Sequence, residues 1–183
     1  MNENSSDMGA PCVIRHGCLG DLQGICEIYN HYVHHSVVTF DLNPWDVEQQ
    51  TPWMQKFNAE GRFQIFVAER SGTIIGYAYS DSFRTRPAYD ITAETTVYLA
   101  PGEGGKGLGR KLYATLIPRL EALGLHRLIA GVTLPNPASV ALHESFGFEH
   151  VGTMSEVGIK MDRHWDVGWW QKRLSGKAAG GSA

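Results

Sequence analysis

Residues 102–113 read GEGGKGLGRKLY, placing five glycines and three basic side chains within twelve positions. A β-branched and aromatic run, TTVYL, comes just before them. Successive bare backbone N–H groups at a helix start, with the positive end of the helix dipole behind them, suit a phosphate or pyrophosphate. Glycine lets the anion approach because no Cβ stands in the way. A Walker loop needs Ser or Thr after its lysine to reach magnesium, and Lys106 is followed by Gly107. A dinucleotide fingerprint fits literally as Gly102-x-Gly104-x-x-Gly107, but the acidic residue expected about 20 positions on is missing. A phosphate-bearing ligand of another kind, or a glycine-rich turn that binds nothing, remains open at this point. His31, His34 and His35 invite a metal reading. Adjacent rings point apart and no carboxylate motif accompanies them, so no metal is expected.

The loop needs a strand before it and a helix after it. ETTVYLA supplies the strand. Residues 107–123 form an amphipathic helix with Leu108, Leu112, Leu116 and Leu120 four apart, Gly124 as its stop and Pro118 as a kink. Upstream, Val13–Arg15 reads as a short strand, and Asp21 caps a helix to about His31. A second helical stretch lies in 44–60, and FQIFVAE, RSGT and IIGYAYSDS make a β-hairpin. LIAGV is a strand, PASVALHESFG a short helix, and the chain returns to strands ending in WDVGWWQKRL. The expected fold class is mixed α/β (α+β), with a partly antiparallel sheet flanked by helices. One domain spans 12–174, between a flexible N-terminus (1–11) and a flexible tail (175–183).

Composition narrows the function. At 183 residues, 43% hydrophobic and 19% charged, the chain is an ordinary globular one. A net charge of −3 gives no basic field for nucleic acid. No apolar run approaches the ~20 residues of a membrane span, and the N-terminus has no secretory pattern. Cys12, Cys18 and Cys26 lack metal spacing and read as reduced thiols in a cytoplasmic protein.

Separated motifs then fall in one order. The turn Gly105-Lys106-Gly107-Leu108-Gly109-Arg110 after TVYL, and LPNPASVALHESFGF with Asn136 before a helix, resemble the cofactor segments of the GNAT acetyltransferases. YNHYV, VVTF, PAYDITAETTVYL and RHWDVGWWQ resemble the branch that acetylates phosphinothricin, methionine sulfone or methionine sulfoximine. The resemblance covers about residues 13–174. It implies the GNAT fold, with splayed central strands, acetyl-CoA as co-substrate, no metal, and a homodimer without nucleic-acid or membrane partners.

The resemblance also implies roles. Val97, Tyr98 and Leu99 would offer backbone hydrogen bonds to the cofactor, one of them polarising the thioester carbonyl. Gly105 to Arg110 and Asn136 would complete the cofactor site. Glu94 would take the ammonium proton, and His143 would protonate the departing thiolate. Arg84, Arg86 and Tyr89 would hold the acceptor's carboxylate, and Phe40 would line its site. The sequence departs from the family pattern at Gly104, where Gln or Arg is usual, at Arg84, where Lys is frequent, and at Pro87. The expected activity is direct acetyl transfer to the α-amine of a small amino-acid-like toxin. Alternatives are another small amine as acceptor, or a silent acyl-CoA sensor.

Overall fold

The computed structural model describes residues 11–175. Most of the flexible segments expected at 1–11 and 175–183 lie outside the described residues. The elements run β1 (Val13–His16), α1 (Leu22–His35), α2 (Val47–Gln55), β2 (Ile65–Arg70), β3 (Thr73–Ser82), β4 (Thr92–Leu99), α3 (Leu108–Ala122), β5 (Arg127–Leu134), α4 (Pro137–Ser145), β6 (Glu149–Lys160) and β7 (Arg163–Arg173). Seven strands form one sheet in the order β1-β2-β3-β4-β5-β7-β6. β4 and β5 are parallel, and every other neighbouring pair is antiparallel.

The two faces carry separate cores. On one, α3 buries Leu108, Leu112, Tyr113, Leu116, Ile117 and Leu120 against Phe66, Ala78, Leu128 and Ala130 of the sheet. The four-residue spacing of these leucines keeps them on one stripe of the helix. Full burial of each such side chain is worth about 1.5–3 kcal/mol, which holds α3 unbroken through Pro118. On the other face, Leu22, Ile25, Cys26 and Ile28 of α1 pack with Met54 of α2 on Ile65, Val67 and Tyr77.

Two local expectations change. Asp21 does not cap α1 with its side chain. Its carboxylate instead accepts the Cys18 amide at 2.8 Å and a two-pronged contact from Arg15 at 2.7 and 2.8 Å. This ties β1 to the short 3-10 turn before the helix. α1 also continues past His31 to His35, because Tyr32 and Val33 extend its inward face.

Candidate active site

β4 and β5 pair only over Thr92–Glu94 and Arg127–Ile129, and then part. The wedge between them is a cleft of ≈ 520 Å³. Thr95–Leu99 forms one wall, Gly131–Thr133 the other, and the start of α3 the mouth. Asn136, Ser139, Leu142 and His143 of the following loop and α4 close one side. Tyr32 also lines the cleft, and its hydroxyl donates to the Leu99 carbonyl at 2.7 Å. This ties α1 to the end of the parted strand.

Backbone geometry makes the mouth suitable for an anion. Gly105 and Gly107 have φ of 74° and 76°, the left-handed region that favours glycine. A Cβ at Gly104, Gly105 or Gly107 would meet nothing within 4 Å. Gly107 stands at the N-cap of the fifteen-residue α3, whose first N–H groups lack helical partners. Gly109 serves packing, since a Cβ there would lie 3.2 Å from Leu142. Lys106 turns away from the cleft toward Glu103 at 3.4 Å. Arg70 grips the same carboxylate with both arms, at 2.9 and 3.1 Å. These cations hold Glu103 below its ordinary carboxylate range. Asn136 caps α4, accepting the Ser139 amide at 3.1 Å, and Arg110 lies over Phe146.

Glu94 occupies the last residue pair before the strands separate, beside Asp81 on β3 and Ile129 on β5. Burial raises its pKa, and Asp81 adds to the rise while Arg84 opposes it. A carboxylate raised in this way is a better proton acceptor than a solvated one. On the same face a second cavity of ≈ 330 Å³ is lined by Phe83, Arg84, Ile129, Met154 and Trp169 among others. Arg84 stacks over Phe83, 4.4 Å from the ring centroid. Arg86 and Tyr89 follow in an exposed segment, and Tyr89 meets the Phe83 ring edge-on. Among the described residues no hydrogen bond or ion pair engages the Arg86 guanidinium.

His143 lines the cleft but is only 3% exposed. Its Nδ1 lies 2.7 Å from the Ser139 carbonyl, an oxygen that can only accept, so Nδ1 carries the hydrogen. Burial lowers the ring's pKa, which favours the neutral imidazole with its lone pair on Nε2. That lone pair faces the Tyr113 hydroxyl at 2.9 Å. In this state His143 has no spare proton aimed at the cleft, and the proton nearest Nε2 belongs to Tyr113. Tyr113 looks in sequence like one more core position of α3, so nothing marked it.

Phe40 sits between α1 and α2 in the segment 36–46, with its ring against Gly158 of β6. It is not among the residues lining either cavity. Tyr29, Thr39 and Asp41 form a hydrogen-bonded cluster beside it, with the Tyr29 hydroxyl 2.6 Å from Thr39 Oγ1 and 2.8 Å from Asp41 Oδ2. Tyr29 and Thr39 fall in the quoted YNHYV and VVTF motifs, but their bonding to each other and to Asp41 is brought about only by the turn of the chain.

A family model described as an acetyltransferase (GNAT) domain matches residues 14–169. A phosphinothricin N-acetyltransferase of Streptomyces coelicolor is 46% identical over 163 residues, covering 88% of this chain and 95% of that protein. An L-methionine sulfoximine/L-methionine sulfone acetyltransferase of Salmonella typhimurium is 35% identical, covering 91% and 96%. Among solved structures, a GNAT superfamily phosphinothricin acetyltransferase from Sinorhizobium meliloti, in complex with acetyl-CoA, superposes with a TM-score of 0.85. It is 34% identical, with 92% of this chain and 90% of that one covered. The parted strands, the glycine turn and these likenesses over nearly the whole chain agree: the protein belongs to the GNAT acetyltransferase family and is an acyl-transferring enzyme.

Proposed function

We propose that this enzyme transfers the acetyl group of acetyl-CoA directly to the α-amine of a small amino-acid-like acceptor. The acceptor class is phosphinothricin, methionine sulfone or methionine sulfoximine, and the outcome is their inactivation. The observation that carries this reading is the place of Glu94, at the last strand pair before a cleft with a bare glycine mouth opens. The named activities of the relatives support the acceptor class.

The chain's residues fit such a ligand. Gly104, Gly105, Gly107 and the first amides of α3 would hold the pyrophosphate. The unpaired side of Val97–Leu99 would hold the pantetheine arm by backbone hydrogen bonds. Bound there, acetyl-CoA would supply the acetyl group as an activated thioester. Glu94 would take a proton from the acceptor's ammonium, directly or through water. Arg84 and Arg86 would orient the acceptor by its carboxylate, with Tyr89 and Phe40 beside them. His143, on the far side of the cleft, would pass a proton taken up from water to the departing thiolate, with the Tyr113 hydroxyl holding its ring. None of the three cysteines lines the cleft. Cys26 is buried, which pushes its thiol up to about 11, a poor nucleophile at neutral pH. That supports direct transfer without an acyl-enzyme.

We also propose a homodimer formed through β6. This outermost strand exposes Val151, Met154, Val157 and Ile159, an apolar edge of the kind that proteins ordinarily cover. Light scattering after size exclusion tests it, and a monomer at micromolar concentration would refute it. The activity itself is tested by thiol release from acetyl-CoA over a panel of amino acids and their sulfone, sulfoximine and phosphinyl analogues. Release with amines lacking a carboxylate but not with amino acids would overturn the acceptor class. Release with no amine would leave an acyl-CoA sensor.

A further inference from the structure

Lys160, the last residue of β6, is only 5% exposed, although an ammonium is normally kept in water. Among the described residues it forms no ion pair. Its Nζ donates to the backbone carbonyl of Thr39 at 2.9 Å and lies 3.5 Å from that of Tyr32. Burial lowers its pKa, with Asp41 acting against the shift. A buried cation spent on main-chain carbonyls fixes backbone, and the backbone it fixes is unusual. Thr39 precedes Phe40, in the segment that joins α1 to α2.

The same strand meets this segment a second time. A Cβ on Gly158 would clash with Phe40 Cε2, so the ring lies directly on bare strand backbone. β6 is irregular here, its register with β7 shifting between Met154 and Gly158. The break is pinned from β7 by the Asp166 carboxylate accepting the Glu156 amide at 2.8 Å and by the Trp165 indole donating to the Lys160 carbonyl at 3.0 Å. On the inner side, the Tyr29 hydroxyl, Thr39 Oγ1 and Asp41 form the cluster described above, and the Trp45 indole donates to Asp41 at 3.0 Å. The segment 36–46 is thus held from α1 on one side and from β6 on the other.

We propose that Lys160 is a positioning residue for the acceptor site: from the outer strand it anchors the Thr39 carbonyl and so sets Phe40 on Gly158. This rests on the acceptor-site role proposed for Phe40. The ammonium does not touch the reacting atoms. It would fix the segment that carries Phe40, and make the seat of that ring depend on how β6 is placed.

The test uses the full chain carrying Lys160→Met, which keeps the length of the side chain without its donors, and separately Gly158→Ala, which displaces the ring. Two readouts are taken: amide hydrogen exchange across 36–46, and the KM values for methionine sulfone and for acetyl-CoA. In Lys160→Met, exchange in 36–46 should quicken about tenfold or more while α3 and β5 are unchanged. The KM for the acceptor should rise about tenfold with that for acetyl-CoA within about twofold. Gly158→Ala should shift both readouts in the same direction. Unchanged exchange, an unchanged acceptor KM, or equal rises in both KM values would overturn the proposal. If Lys160→Met fails to fold, Lys160→Gln, a milder neutral change, is read by the same two criteria. Should the wild type acetylate no amino acid, the acceptor reading itself has failed, and the exchange data alone still decide whether Lys160 holds the segment.

Discussion

The two sides of the proposed active site are built from different materials. The cofactor side is mostly main chain: a glycine turn, the first amides of α3 and one wall of a parted strand. It comes from nearly contiguous sequence, residues 95–110, joined by a short helix. The proposed acceptor side would be mostly side chain, and its residues come from distant segments: Phe40 before α2, Arg84 to Tyr89 after β3, Glu94 on β4, and Gly158 with Lys160 on β6. A site made of amides tolerates variation in side chains and is sensitive to any added atom. A site made of side chains can be retuned residue by residue.

That contrast is open to test, and the largest effect should come from the acceptor side. Glu94→Gln keeps size and hydrogen bonding but removes basicity, so kcat/KM should fall by about 10²–10⁴. Isothermal titration should find acetyl-CoA affinity intact; a loss of both would mean the two sides are not separable. On the cofactor side, Gly107→Asp puts a carboxylate where an anion should lie. The thermal stabilisation by saturating acetyl-CoA, worth about 2–4 kcal/mol in the wild type, should disappear. Equal stabilisation of the variant would break the assignment of the turn.

Smaller effects sharpen the boundary between the sides. The double variant Arg84→Ala/Arg86→Ala should raise the acceptor KM roughly 10- to 150-fold through lost charge-assisted contacts, with acetyl-CoA affinity unchanged. A decarboxylated amine acetylated as well as the amino acid would refute the carboxylate contact. Tyr113→Phe removes the O–H that faces His143 and should lower kcat by about tenfold with both KM values kept; an unchanged kcat would reduce the pair to packing.

The smallest effect is on stability. Because the Glu94 carboxyl is raised on folding, its contribution is fully present below the unfolded value of about 4.3 and is lost as pH rises through the folded value. At neutral pH the wild type therefore carries a penalty that Glu94→Gln lacks. Its Tm should exceed the wild type's at neutral pH, and the gap should close as pH falls toward 4.

The same contrast explains what was legible in the sequence. The turn and α3 stood out because their signals are local: glycines in a row, leucines four apart, Gly124 after the last turn. The strand–turn–helix order then matched a family, and the family's motifs brought Glu94, His143 and Arg84 into view. The neutral state of His143 was hidden, because it depends on a carbonyl four residues back and a hydroxyl thirty residues away. The pairing of Glu103 with both Lys106 and the distant Arg70 was equally hidden. β6 escaped definition because its bulges break the period of two on which strand patterns rest. Lys160 reads as a surface residue until the fold covers it.

The short parallel pairing of β4 with β5 has a further consequence, for the order in which the sheet is assembled. It divides the sheet into two antiparallel blocks, β1–β4 and β5-β7-β6, joined by three residue pairs and by the connection through α3, which packs on the first block. Each block can close largely on its own neighbours, whereas the seam must wait for a crossover helix to be in place. The seam is thus the least secured line in the sheet, and it opens into the cleft itself. A ligand spanning the cleft from Val97 to Val132 would act as a rivet between the blocks. Amides along Glu94–Leu99 and Ile129–Thr133 should accordingly gain more protection from hydrogen exchange on acetyl-CoA binding than those at the far edges, β1 and β6.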